Sequence, residues 1–125
     1  MGTFQNGGNA CSLINTADFT MTETEYRQLA DAAFVHIESV LEHAENDIDY
    51  ELAAGEVLEI ELDNGSKIII NRQAANQEIW VAAKSGGFHY RWRDNAWRNT
   101  RDGSELMQTL SGLIAQQGGG ELRFD

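Results

Sequence analysis

The first regular pattern in the chain is helical. Between residues 23 and 44, apolar side chains recur at the spacing that places them on one face of an α-helix. The preceding Thr22 and the later Glu25 fit a capping box, in which each side chain bonds the backbone N–H of the other residue. We therefore expect one long amphipathic helix. Its apolar face consists of Tyr26, Leu29, Ala30, Ala33, Ile37, Val40, Leu41 and Ala44.

After residue 47 the period changes to two, which is typical of half-buried strands. Short turn sequences separate the strand-like segments, so neighbouring strands are expected to be antiparallel. One of these turns, Asp63-Asn64-Gly65-Ser66, predicts a type I′ hairpin because Asn-Gly accepts a positive φ. The segments are residues 48–52, 58–62, 67–71, 79–84 and 88–93, with a short sixth at 97–100.

A second amphipathic helix is predicted near the C-terminus. We expect Asp102 to cap its first turn, with Glu105 at the third helical position. The glycines at 118–120 are expected to end it. Its apolar side consists of Leu106, Leu110, Leu113 and Ile114.

The order of elements predicts the fold class. Both helices need an apolar surface to cover, and an antiparallel sheet with alternating residues offers one apolar face. We therefore expect an α+β fold of order α-β-β-β-β-β-β-α. It is a two-layer α/β sandwich, with two helices packed on one face of a twisted, five- to six-stranded antiparallel sheet.

Alternation along the strands also predicts which residues lie on each face of the sheet. The inward residues are expected to be Ile48, Tyr50, Leu58, Ile60, Ile68, Ile70, Ile79, Val81, Phe88, Tyr90 and Trp92. The outward residues are expected to be Asp49, Glu51, Glu59, Glu61, Lys67, Ile69, Asn71, Trp80, Ala82, His89, Arg91 and Arg93. Trp80 is then either an exposed binding anchor or a residue covered by the 72–78 connection or the C-terminal tail, and both interpretations are open.

Length and composition fit a single domain of 125 residues. Residues 1–20 show no sustained period, and we expect them to be a flexible arm or a leader from an expression vector, with residues 21–125 as the domain. No apolar run reaches the roughly 18 residues of a membrane span. The single Cys11 has no internal disulfide partner, which fits a reducing, cytoplasmic setting.

The net charge of −11 is distributed unevenly along the chain. Residues 21–63 carry thirteen acids and one base, which gives −12, and residues 64–125 carry six acids and eight bases, which gives +2. Asp18 supplies the remaining −1. This asymmetry argues against nucleic-acid binding by the acidic half and favours cations or a basic protein surface as its partners.

A run of carboxylates, which we call the acidic ridge, joins the end of the first helix to the first strand. Like charges one helical turn apart cost stability, as do anions near a helix C-terminus. Exposed carboxylates suit hard cations such as Mg²⁺, Ca²⁺, Mn²⁺ or iron, held weakly, although a merely solvated acidic surface is an equally open interpretation. The acidic ridge consists of Asp31, Glu38, Glu42, Glu45, Asp47, Asp49 and Glu51.

Known metal and catalytic motifs do not account for these acids. Asp47, Asp49 and Glu51 match the first ligands of an EF-hand, but Leu52 stands where the turn glycine is needed. His36 and His43 are seven residues apart, about 10 Å along a helix, which is too far for one metal ion. The sequence contains no Cys/His zinc pattern, phosphate loop or nucleophile–base motif.

Several of these segments together resemble the frataxin family, in its bacterial branch. The resemblance covers the chain from Met21 to its end. It is carried by the acidic first helix, Asp47-Ile48-Asp49, the run NGSKIIINRQ at residues 64–73, Trp80, Gly86-Gly87, Tyr90, Trp97 and the closing helix.

The resemblance implies the same two-layer fold and a role in iron–sulfur cluster assembly. It implies that the acidic ridge binds Fe²⁺ or Fe³⁺ weakly and exchangeably, with other divalent cations as further candidates. It also implies docking on a cysteine desulfurase and its scaffold protein, as a regulator of sulfur transfer and an iron chaperone or donor. The expected docking residues are Asn71, Gln73 and Trp80, together with Glu42 and Glu45. His43 stands where an acid is common in the family.

Two alternatives remain beside this non-enzymatic role. An iron oxidase or iron-storage enzyme would need a preorganised di-iron site with Glu-x-x-His pairs, and the sequence has none. A generic divalent-cation-binding protein would leave Trp80 and the basic strands unexplained. We expect a monomer, with iron-driven oligomers as a further expectation.

Overall fold

The computed structural model describes residues 21–45 and 47–125, and the expected extension at residues 1–20 lies outside the described residues. Two helices flank six strands in the order that the sequence predicts. The elements are α1 (Glu23–Glu42), β1 (Ile48–Ala53), β2 (Val57–Leu62), β3 (Lys67–Gln73), β4 (Glu78–Ala83), β5 (Gly86–Arg93), β6 (Ala96–Asn99) and α2 (Leu106–Gln116). A single 3₁₀ turn, Ala74–Asn76, connects β3 to β4.

The strands form one six-stranded antiparallel meander in the order β1-β2-β3-β4-β5-β6. Residues on one face of the sheet share a single apolar core with residues of both helices. The fold class is therefore confirmed as an α+β, two-layer sandwich. The other face of the sheet, which we call the open face, is not covered by either helix.

Alternation along the strands predicts the inward face correctly. Seven of the expected inward residues are buried, and the remaining four are partly buried against the same core. The buried ones are Leu58, Ile60, Ile68, Ile70, Ile79, Val81 and Tyr90, and the partly buried ones are Ile48, Tyr50, Phe88 and Trp92.

The capping box at the start of α1 is confirmed. The Glu25 backbone N–H donates to Thr22 Oγ1 at 3.1 Å, and the Thr22 backbone N–H donates to Glu25 Oε1 at 2.9 Å. The prediction for the end of this helix was too long by two residues, since α1 ends at Glu42. His43 is the C-cap, and its Nδ1 donates to the Ser39 carbonyl at 2.8 Å, beside the last backbone bond of the helix at 3.2 Å.

The predicted cap of α2 was wrong. Glu105 is itself the N-cap, and its carboxylate accepts from the backbone N–H groups of Met107 and Gln108. Asp102 instead accepts from the N–H and the hydroxyl of Ser104, and these bonds hold the pKa of Asp102 below its ordinary value. Glu105 is placed at the cap because a turn that contains Gly103 at φ +77° separates it from Asp102.

The β2–β3 hairpin also differs from the predicted type I′ turn. Of the Asn-Gly pair, Gly65 alone has a positive φ, and the Gly65 N–H donates to the Leu62 carbonyl. Asn64 uses its side chain instead, accepting from the Ser66 N–H and donating to the Gln117 carbonyl. A left-handed pair of residues is found at the β5–β6 turn, where Asp94 and Asn95 have φ +50° and +61°.

The C-terminal tail packs onto the helix layer. Phe124 is almost fully buried, and Leu122 packs against the core. The Phe124 N–H donates to Ser111 Oγ of α2 at 2.9 Å, and its carbonyl contacts His36 Nε2 of α1 at 2.5 Å. The tail therefore bonds to both helices, and His36 serves this contact.

Candidate cation-binding ridge and docking face

The acidic ridge is built around β1, which is an edge strand of the sheet. On its helix side, the half-buried Tyr50 lies near two carboxylates of the last turns of α1. Burial, together with the negative charges of Glu42 and Glu38, raises the pKa of Tyr50 above its ordinary value. The helix part of the ridge therefore lies close enough to this side of β1 for its charges to act on Tyr50.

The strand part of the ridge lies on the other side of β1, on the open face. Asp49 is directly opposite Glu61 of β2, and Glu51 is directly opposite Glu59. Strand alternation places Glu59 and Glu61 outward, but the ridge predicted from the sequence did not include them. The alternation was a sufficient signal, because outward acids that face one another on consecutive antiparallel strands come close together.

This four-carboxylate surface is only partly neutralised. Lys67 Nζ contacts Glu59 Oε2 at 2.8 Å, and the bond and charge of Glu59 raise the pKa of Lys67. No other ion pair reaches these four acids within the described part of the chain. Directly opposed like charges destabilise a sheet, so packing does not explain their placement.

The ridge is a distributed surface in the described residues, rather than a preformed cage. Within residues 21–45 and 47–125, no group of three His, Cys, Asp or Glu side chains converges as a metal ion would require. The arrangement offers exposed hard oxygen ligands on two sides of an edge strand. Such a surface can hold cations weakly and exchangeably.

Three members of the predicted ridge differ in their surroundings. Asp31 is paired with Arg72, whose Nη1 lies 2.5 Å from its Oδ1, while the same guanidinium lies over the Phe34 ring at 4.5 Å. Glu45 lies beyond the end of α1 and Asp47 lies just before β1, and both are exposed. Arg72 therefore neutralises the member of the ridge that lies farthest from β1 along the chain.

Three of the five predicted docking residues lie together on β3 and β4, and the other two, Glu42 and Glu45, lie at the end of α1 and just beyond it. Asn71 is directly opposite Trp80, and Gln73 is directly opposite Glu78. The half-buried Trp80 ring stacks on His89 of β5, with 4.2 Å between the ring centroids and 7° between the planes. The sequence prediction that Trp80 faces outward is correct, and its flat stack with His89 makes an aromatic platform on the open face.

Glu78 is a functional candidate that was absent from the predicted site, because the sequence pattern assigned it to the connection before β4. Its side chain is buried on the open face, where Oε1 accepts from Trp80 Nε1 at 2.7 Å and Oε2 accepts from Arg91 Nε at 2.8 Å. His89 Nδ1 lies 3.7 Å from Oε1. The Glu78 carboxylate therefore contacts both rings of the aromatic platform and fixes their orientation. Its position two residues before Trp80 was the available signal.

The fold and the site together define a class of protein: a two-layer α+β sandwich with an acidic edge strand and an aromatic platform on its open face. A family model for the frataxin-like domain matches residues 19–120. The chain therefore belongs to the frataxin-like family.

Two curated relatives, both named "Iron-sulfur cluster assembly protein CyaY", are similar to the chain over most of its length. The protein of Dechloromonas aromatica (strain RCB) is 52% identical over 99 residues, which is 79% of this chain and 94% of the relative. The protein of Herminiimonas arsenicoxydans is 52% identical over 106 residues, which is 82% of this chain and 95% of the relative.

Two solved structures share the fold. Frataxin from Psychromonas ingrahamii, described as a model of stability modulation within the CyaY family, has a TM-score of 0.78 and 34% identity, and the match covers 84% of this chain and 99% of that one. A frataxin from the yeast Saccharomyces cerevisiae, described as trimeric and complexed with ferrous, has a TM-score of 0.59 and 25% identity, with coverage of 79% and 89%. Neither described helix of the present chain is long and apolar enough to cross a membrane.

Proposed function

We propose that this chain acts in iron–sulfur cluster assembly as an iron-binding protein. It regulates the complex of a cysteine desulfurase with its scaffold protein, and it can donate iron to that complex. The observation that carries the proposal is the pairing of acid with acid across β1 and β2, next to the helix carboxylates. The names of the relatives support the pathway, and the yeast structure supports the metal.

The acidic ridge is the part that would meet iron or a basic surface of the desulfurase. Its carboxylates attract a cation from either side of β1, and weak binding leaves the ion free to move on to a partner. Glu38, Glu42, Glu45, Asp47, Asp49 and Glu51 form this surface in our proposal. Asp31 contributes less, because Arg72 already neutralises it.

The open face is the part that would meet the scaffold. Asn71 and Gln73 offer amide groups beside the aromatic platform of Trp80 and His89. Aromatic side chains that are rigid before binding contribute much of the energy of a protein interface. A protein with these two surfaces acts by binding rather than by catalysis, as a cytoplasmic monomer that can oligomerise with iron.

A triple variant tests the proposal. Glu42→Gln, Glu45→Gln and Asp49→Asn together remove three charges from the ridge while preserving the size of the side chains. We expect Fe²⁺ affinity, measured anaerobically by calorimetry, and desulfurase affinity at low salt each to fall roughly tenfold, since each exposed charge contact contributes about 0.2–1 kcal/mol.

A matched control removes the same charge elsewhere. Glu23→Gln, Asp94→Asn and Glu121→Gln alter three exposed acids outside the ridge and should leave both affinities nearly unchanged. Equal desulfurase affinities for the two triple variants and the parent protein would overturn the proposal.

A further inference from the structure

Three arginines meet at a shallow pocket on the open face, at the end of the sheet away from the acidic ridge. Arg91 of β5 and Arg98 of β6 are directly opposite one another, and Arg93 lies two residues further along β5. The pocket has a volume of about 270 Å³, and it is lined by these three residues with Glu78 and Thr100.

The positive charge at this pocket is only partly balanced. Glu78 accepts from Arg91 Nε, which neutralises one of the three guanidinium groups. Arg98 donates to three backbone carbonyls, those of Arg93, Gly103 and Asp94, at 3.2, 3.3 and 3.5 Å. Within the described residues, neither Arg93 nor Arg98 is ion-paired. The pocket therefore keeps an excess of positive charge in a chain of net charge −11.

The arrangement suits an anionic ligand. Like charges placed directly opposite one another weaken an antiparallel pair, and although Glu78 offsets the charge of Arg91, the opposed Arg98 has no ion-pair partner within the described residues. The carbonyl bonds hold Arg98 in one orientation without neutralising it. Glu78 also holds Arg91 in place, but it neutralises that guanidinium group as it does so. Two guanidinium groups are thus fixed in advance at the rim of one depression.

We propose that this pocket binds a phosphate group, and this inference does not depend on the proposed function. Guanidinium groups present paired N–H donors that match the oxygens of phosphate, and prior fixation reduces the entropy lost on binding. The charge of a phosphate group, about −1.5 to −2 at neutral pH, balances the excess on Arg93 and Arg98. Thr100 adds a hydroxyl to the lining. The phosphate is either inorganic phosphate or that of a nucleotide.

An amide NMR titration with inorganic phosphate, without metal and at low ionic strength, tests the site. We expect saturable shifts at residues 91, 93, 98 and 100, and none when chloride is added at the same ionic strength. Arg93→Gln should weaken binding roughly five- to tenfold, because one charge-assisted contact is lost. This variant leaves the fold intact, since the exposed Arg93 side chain makes no hydrogen bond or ion pair in the described part of the chain.

The control is Arg27→Gln, which removes the same charge from the exposed side of α1. Equal phosphate affinities for the two variants, or shifts that fail to saturate, would overturn the proposal. A second titration with ADP separates the sources. Tighter binding of ADP at the same amides supports a nucleotide phosphate, and equal or weaker binding supports free phosphate as the ligand.

Discussion

The two faces of the sheet are built from alternate residues of the same strands, yet they follow different rules. The inner face is apolar and largely buried beneath two helices and the C-terminal tail. The open face carries separated charges, with acids opposed on β1 and β2 and arginines opposed on β5 and β6. Packing accounts for the inner face, whereas it does not account for like charges opposed on the open face, which reduce the stability of a strand pair.

Two neighbouring isoleucines on β3 give the largest expected difference in stability between the two faces. Ile70 is fully buried on the inner face, and the adjacent Ile69 is half-buried on the open face. We expect Ile70→Ala to lower the free energy of unfolding by about 2–5 kcal/mol, because it leaves a cavity in the core. Ile69→Ala should cost less than about 1 kcal/mol.

Denaturant unfolding of the two variants, followed by circular dichroism, measures this contrast. Equal losses of unfolding free energy in the two variants would show that the open face is packed as a second core. That result would contradict the difference drawn between the two faces.

Two acids on the open face provide the next contrast. Glu78 is buried with three polar neighbours, whereas Glu59 is partly exposed and bonded to Lys67. Glu78→Gln should lower the free energy of unfolding by about 1–3 kcal/mol, since Arg91 loses its ionic partner near a buried site. The Arg91 side chain is 55% exposed, which limits the loss. Glu59→Gln should change it by less than about 0.5 kcal/mol.

Thermal unfolding, with the indole N–H resonance of Trp80 in the NMR spectrum as a second readout, distinguishes these outcomes. A larger loss from Glu59→Gln than from Glu78→Gln would mean that the acidic end, and not the aromatic platform, holds the open face together.

The sequence predicted what depends on local pattern and missed what depends on long-range partners. Short turns were sufficient for the order of strands, and alternation was sufficient for both faces, because each side chain of a strand must take one side or the other. It could not predict that Asp31 would be neutralised by Arg72, since those residues are 41 positions apart. Residues placed in loops were misjudged for a different reason. Glu105 and Asp102 compete for one cap, and a single glycine conformation decides between them.

A smaller change in the free energy of unfolding is expected at the acidic end of the sheet, and there the substitution should stabilise the protein. Glu51→Gln removes a negative charge that lies directly opposite Glu59 on an exposed strand pair. We expect the free energy of unfolding to rise by about 0.2–1 kcal/mol at low salt. Salt should reduce the gain, because counterions screen the repulsion in the parent protein.

Glu56→Gln is the matched control, since Glu56 is exposed in the turn after β1 and no residue opposes it in the strand register. A gain of equal size in this control would attribute the effect to net charge rather than to the opposed pair.

The smallest expected effect is a change in the pKa of Tyr50. It tests whether the acidic ridge occupies both sides of β1. Burial and the charges of Glu42 and Glu38 raise the pKa of Tyr50 above 10.0, so the folded state favours the neutral phenol. The stability that this provides is complete below pH 10.0 and is lost as pH rises through the folded pKa. Glu38→Gln with Glu42→Gln should therefore lower the pKa of Tyr50 and narrow that pH window.

Carbon-13 NMR of the tyrosine rings measures this shift residue by residue. Tyr26 is the internal control, because burial chiefly raises its pKa and neither Glu38 nor Glu42 contributes. If Tyr50 titrates identically in the parent and the double variant, the helix carboxylates do not act at the inner side of β1. The acidic surface would then consist of the opposed carboxylates on the open face alone, and the difference between the two faces of the sheet would extend to the edge strand itself.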